Sequence, residues 1–144
     1  MKPISVAFFG IAGSGKGTQA DLLEKHLLQD GSRVVRPEMG VLLRSFMQTG
    51  TSLAQKTNEI VTAGGLVPSF VPIYLLTGTL NESFDGTQHV ILDGTCRRPD
   101  QSRAANDMMR LWGGAHLHIV ELILTQEKTK KRLAIKHAML AARK

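Results

Sequence analysis

The chain has 144 residues, of which 42% are hydrophobic, with a formal net charge of +6 and a single cysteine, Cys96. That length suits one domain with a buried core. No run of roughly eighteen apolar residues is present to span a membrane, and one cysteine allows no internal disulfide. The apolar run behind Met1-Lys2 passes directly into a glycine-rich segment, so it is not read as a secretory leader and a cytoplasmic setting is expected.

Ile4 to Phe9 is a short apolar run with the character of a buried strand. The segment Gly10-Ile11-Ala12-Gly13-Ser14-Gly15-Lys16-Gly17-Thr18-Gln19 follows, and behind it Ala20, Leu22, Leu23, Leu27 and Leu28 recur at helical spacing. Strand, glycine-rich turn and helix in that order is the context of a phosphate-binding loop. Glycines let backbone N–H groups turn inward around an anion, the helix start adds unpaired N–H groups, and Lys16 supplies a cation. Thr18 offers a hydroxyl beside the loop, while Gly17 holds the place the generic pattern gives to Ser or Thr.

Asp30-Gly31 closes a turn, and Arg33 to Pro37 reads as a second strand with Pro37 at its end. Val41 to Gln48 has a helical pattern stopped by Thr49-Gly50-Thr51. Ser52 is expected to cap a helix reaching Ala63, which Gly64-Gly65 stops. Leu66-Val67-Pro68 forms a link, and Ser69 is expected to cap a helix carrying Val71, Ile73, Leu75 and Leu76. His89 to Asp93 is an apolar strand ending in a carboxylate. Pro99-Asp100 opens a helix through Leu111, read as a core residue, and Gly113-Gly114 ends it. His116 to Leu124 is a further strand and Gln126 to Ala142 a cationic helix.

Strands alternating with helices predict an α/β fold, a parallel sheet with helices on both faces. His116 and His118 alternate on one strand but lack a third ligand, and read as structural rather than metal-binding. Cys96 reads as a small buried residue. Residues 125–144 carry seven Lys/Arg against one acid, so all of the net charge lies there. With no aromatic side chain to stack on bases, that tail reads as a surface facing a polyphosphate rather than a nucleic-acid arm.

Together these residues resemble the adenylate kinases and related nucleoside monophosphate kinases. Gly10 to Gln19 is similar to that family's GxxGxGKGTQ loop, Gly40-Val41-Leu42-Leu43-Arg44 to its Gly-Asp-Met/Leu-Leu-Arg segment, and Leu92-Asp93-Gly94-Thr95-Cys96-Arg97 to its Leu-Asp-Gly-Phe-Pro-Arg. Ala63 to Pro68 matches the segment closing the small monophosphate-binding lobe, here expected at about residues 39–68. The resemblance implies a P-loop NTPase-type sheet and transfer of the γ-phosphoryl of Mg·ATP to AMP. It implies ATP binding by Gly10, Gly13, Ser14, Gly15, Lys16, Gly17, Thr18 and Arg132, the last stacking on the base. It implies AMP binding by Gly40, Arg44, Leu66, Val67, Gly94, Arg97 and Gln101, with Lys16, Arg97 and Asp93 catalytic. Mg²⁺ is then expected at Asp93, through water, with Thr18 a weaker candidate. Arg97 rather than the adjacent Arg98 is expected to face the ligand.

The sequence departs from the family at Met39 (commonly Thr), Val41 (Asp), Thr95-Cys96 (Phe-Pro) and Lys136 (a lid arginine). The matched segments run out where the ATP-covering lid begins, leaving lid, final strand and closing helix without a counterpart. A monomer is expected unless a partner supplies the lid. Competing readings are a nucleotide-binding module without turnover, a kinase for another monophosphate such as dTMP, and a nucleic-acid binder using the tail.

Overall fold

A computed structural model of the chain describes residues 2–112 and 117–141. Four strands form one parallel sheet in the order β2-β3-β1-β4: β1 (Ser5–Phe9), β2 (Val34–Val35), β3 (His89–Asp93) and β4 (Leu117–Glu121). Six helices accompany it: α1 (Lys16–Gln29), α2 (Met39–Met47), α3 (Ser52–Thr62), α4 (Phe70–Ser83), α5 (Pro99–Leu111) and α6 (Gln126–Ala141). None is long and apolar enough to cross a membrane among the described residues.

The period of two along a strand explains why both sheet faces are covered. In β1, Val6 and Phe8 join Ala20 and Leu27 of α1 and Ile91 of β3 in one cluster. Ala7 points the other way, joining Val90 and Leu92 of β3 with Leu76 and Leu80 of α4 and Ala105 and Met109 of α5. The chain runs from β1 out to β2, back through β3, then across β1 to β4. The carboxyl end of β1 is thus the switch point, where open α/β sheets bind ligands.

Several local expectations need correction. The second strand shortens to Val34–Val35, with Pro37 beyond it, because proline has no N–H for the ladder. Helix α2 begins at Met39, two residues early. The cap of α3 is Thr51, whose hydroxyl accepts from Ala54 N at 3.2 Å, rather than Ser52. Ser69 precedes α4 without capping it, since its side chain bonds none of the helix N–H groups. Leu111 is 81% exposed and not core. The Gly113-Gly114 stop and His116 lie outside the described residues, as does the side chain of Lys136.

His89 begins β3 and is 2% exposed. Its Nδ1 accepts from Ile4 N at 3.0 Å, tying the two central strands together. Burial, and to a lesser extent the positive chain terminus, hold its pKa below the ordinary 6.5. Below pH 6.5 the unfolded chain therefore takes up a proton that the folded chain refuses, and stability falls as pH drops from 6.5 toward the folded pKa. Melting followed by circular dichroism between pH 7.5 and 5.5 should show a fall in Tm that is shallower in His89→Gln.

Candidate functional site

The loop between β1 and α1 is shaped by three glycines at positive φ: Gly10 at 139°, Gly13 at 80° and Gly15 at 102°. Gly10 has no room for a side chain, and at Gly13 the fit would be tight. A Cβ on Gly10 would lie 2.6 Å from Leu122 O and 2.7 Å from Ser14 Oγ; one on Gly13 would lie 3.2 Å from Leu133 of α6. Gly15 stands at the N-cap of α1 with no side-chain cap and no acid in the first turn, so the helix start keeps its pull on an anion. Lys16 Nζ donates to Gly10 O at 2.7 Å and Ile11 O at 2.8 Å. Arg132 of α6 donates to Ser14 O at 3.1 Å, which ties α6 to the loop.

Two cavities border this loop, and a third adjoins one of them. On one side Gly13, Ser14, Gly15, Thr18 and Arg132 line a space of about 510 Å³ with Leu122 to Leu124. In front of it Gly10 and Lys16 face Gly94, Thr95 and Arg97 across about 300 Å³. The third, about 340 Å³, is walled by α2, the 65–67 link and the start of α5. It takes in all seven of Gly40, Arg44, Leu66, Val67, Gly94, Arg97 and Gln101. Gly94 and Arg97 border both of the last two cavities, so the space holding Lys16 and the space holding Arg44 meet at Arg97.

Arg97 is held by its own surroundings. Its Nε donates to Gly94 O at 3.2 Å, and its backbone N–H donates to Gln101 Oε1 at 2.8 Å. The Gln101 amide nitrogen in turn reaches Ser69 Oγ at 3.4 Å. Gln101, one of the residues implied to bind AMP, thus lines the cavity while its carbonyl accepts from Arg97. Arg98, exposed like Arg97, also borders the third cavity. Three cations and the apolar Met39, Leu43, Met47, Val61 and Pro72 therefore surround one space. The turn before Arg97 rests on Cys96 at φ 62°, the only described non-glycine residue in that region and one that proline could not adopt. Burial pushes the Cys96 thiol up to about 11, leaving it a poor nucleophile.

Asp93 ends β3 beside the loop: a Cβ on Gly17 would lie 3.8 Å from its Oδ2. The same oxygen accepts from Arg36 Nη2 at 3.1 Å. The Arg36 side chain is 9% exposed and also meets Asp21 at 2.6 Å, Glu24 at 2.8 Å and Glu38 at 3.7 Å. Burial works against its charge, but the hydrogen bonds to Glu24, Asp21 and Asp93 outweigh it and raise its pKa. Among the described residues no group of three His, Cys, Asp or Glu could hold a metal ion by itself. A single carboxylate beside a phosphate cradle does suit Mg²⁺, which keeps several waters and takes most other ligands from nucleotide phosphates. Thr18 lines the cavity with Arg132 rather than one with Asp93.

Arg36 and Arg98 had no signal of their own in the sequence. The partners of Arg36 come from α1, the β2–α2 junction and β3, and only the fold assembles them.

A parallel sheet with a glycine loop at its switch point, and cation-lined cavities meeting there, defines an α/β P-loop kinase-like fold. The adenylate kinase family model matches residues 8–141. The chain is 31% identical to the adenylate kinase of Nitrobacter hamburgensis over 134 residues, 93% of this chain and 62% of that protein. It is 30% identical to that of Methylorubrum populi over 139 residues, 96% of this chain and 66% of that protein. It is 29% identical to that of Lawsonia intracellularis over 130 residues, 90% and 54% respectively. The chain belongs to the adenylate kinase family, and spans 54% to 66% of the length of these relatives.

Proposed function

We propose that this chain is a nucleoside monophosphate kinase core that transfers the γ-phosphoryl group of Mg·ATP to AMP. The observation that carries the reading is Arg97, bordering both the Lys16 cavity and the Arg44 cavity. Phosphoryl transfer needs two polyanions brought into line with their charge neutralised, and needs no side-chain nucleophile. The loop N–H groups and Lys16 would hold the donor phosphates, with Arg132 beside the donor nucleoside. Arg44, Arg97 and Arg98 would hold the acceptor phosphate, leaving the apolar wall and the Leu66-Val67 backbone for its base. A phosphate oxygen of AMP attacks the γ-phosphorus, the bond from that phosphorus to the β–γ bridging oxygen breaks, and ADP leaves from each side. Asp93 would hold the water shell of a Mg²⁺ bound with ATP, a cation that would supply further neutralisation of phosphate charge.

The test is ADP formation from ATP, AMP and Mg²⁺, with Lys16→Ala as control and dTMP and other monophosphates in parallel. Turnover that the control abolishes supports the kinase, and the preferred monophosphate names the acceptor. Micromolar nucleotide binding without turnover supports a binding module instead. Arg44 lines the proposed acceptor cavity and would bind AMP in ground and transition states alike, so Arg44→Ala should raise KM for AMP about 10- to 100-fold with kcat little changed.

A further inference from the structure

We propose that Arg36 is a positioning residue for Asp93, fixing the carboxylate that faces the metal of the bound nucleotide. The inference rests on the kinase reading above and assigns a residue that the site motifs do not contain.

Three observations support it. The backbone brings the segment to Asp93: Glu38 bridges to Asp93 in parallel, and Asp93 N reaches Pro37 O at 3.4 Å. The side chain holds the carboxylate itself. Arg36 Nη2 donates to Oδ2, the oxygen on the Gly17 side of the carboxylate. Finally, the guanidinium is itself immobilised. Nη1 is shared by Asp21 and Glu24 of α1, so the arm that reaches Asp93 is anchored to the helix that carries the loop.

An anchored Nη2 on Oδ2 limits how the carboxylate can turn, and so steadies the face it offers to a hydrated cation. A lysine could not do the same. Its point charge lacks the planar fork that contacts α1 and Asp93 from separate nitrogens. The cluster also has an electrostatic consequence. Four carboxylates surround one guanidinium, so Arg36 offsets repulsion that would otherwise push Asp93 away from Glu38, Glu24 and Asp21.

The experiment measures ATP affinity by titration calorimetry with Mg²⁺ and with EDTA, in wild type, Arg36→Lys, Arg36→Gln, Asp93→Asn and Arg36→Gln/Asp93→Asn. The readout is the gain in affinity that Mg²⁺ confers. Asp93→Asn should reduce that gain, and Arg36→Gln should reduce it by a similar 10- to 100-fold factor, as losing a partner of a metal-facing ligand typically does. The double variant should lose no more than the larger single loss, because both act through one carboxylate. Arg36→Lys should fall between wild type and Arg36→Gln, and it carries the comparison if the glutamine variant fails to fold. A lowered Tm with the Mg²⁺ gain intact in the Arg36 variants would show a purely structural salt bridge and overturn the proposal. Failure of the wild type to bind ATP under either condition would overturn the kinase reading instead.

Discussion

Arg97→Ala should lower ADP formation about 10³-fold or more while the protein stays folded. The side chain is exposed and its loss removes no core packing. What goes is a cation standing where two cavities meet, one with Lys16 and one with Arg44. A phosphoryl group in transit carries charge on three equatorial oxygens, and a fixed guanidinium there stabilises the transition state more than either ground state. Arg97→Lys should recover only part of the loss, since lysine offers a point charge without the bidentate fork. Steady-state rates with both nucleotides varied, with circular dichroism as the folding control, check this. A loss below tenfold would remove Arg97 from the centre of the reaction. Gln101→Leu offers a milder version: it deletes the carbonyl that accepts Arg97 N and should act mainly on kcat.

Gly10→Ala should abolish nucleotide binding and lower Tm by roughly 5–15 °C. Its φ of 139° is strained for any residue with a Cβ, at about 1–3 kcal/mol. The new methyl would also lie 2.6 Å from a backbone carbonyl, Leu122 O, which cannot rotate away. The loop has to open, carrying with it the Gly10 carbonyl that holds Lys16. Gly31→Ala makes a suitable comparison. That glycine also has a positive φ, 74°, but nothing lies within 4 Å of the added carbon, so only the local backbone penalty remains. Similar thermal shifts in the two variants would show that overlap with Leu122 is not what demands glycine at position 10.

The phosphate loop was legible because its determinants are contiguous: strand, glycines, lysine and helix within about twenty-five residues. The seven residues expected around the acceptor come from four segments, and their common cavity follows from motifs rather than periodicity. The misreadings have local causes. Thr51 and Ser52 are adjacent and can both cap, so backbone dihedrals decide, and these are not written in the pattern. Leu111 completes the apolar face of a helix but sits in its last turn, where the neighbouring element no longer covers it. Arg97 and Arg98 follow a stretch with no regular element, so no period in the sequence says which of the two borders the cavity. Arg36 was least legible, because its four carboxylates are brought together only by the crossing of α1, the β2–α2 junction and β3.

The shared position of Arg97 has a thermodynamic consequence. Two polyanions that border one cation cannot bind independently. Each screens or competes for the charge the other uses, so the dissociation constant of one must depend on occupancy by the other. Linkage makes that dependence reciprocal: whatever factor AMP imposes on ATP affinity, ATP imposes on AMP affinity. Without Arg97, direct repulsion between the two phosphate chains would remain with no cation between them. In Arg97→Ala the interaction factor should therefore shift toward antagonism, measurable with a non-hydrolysable ATP analogue even where no product forms.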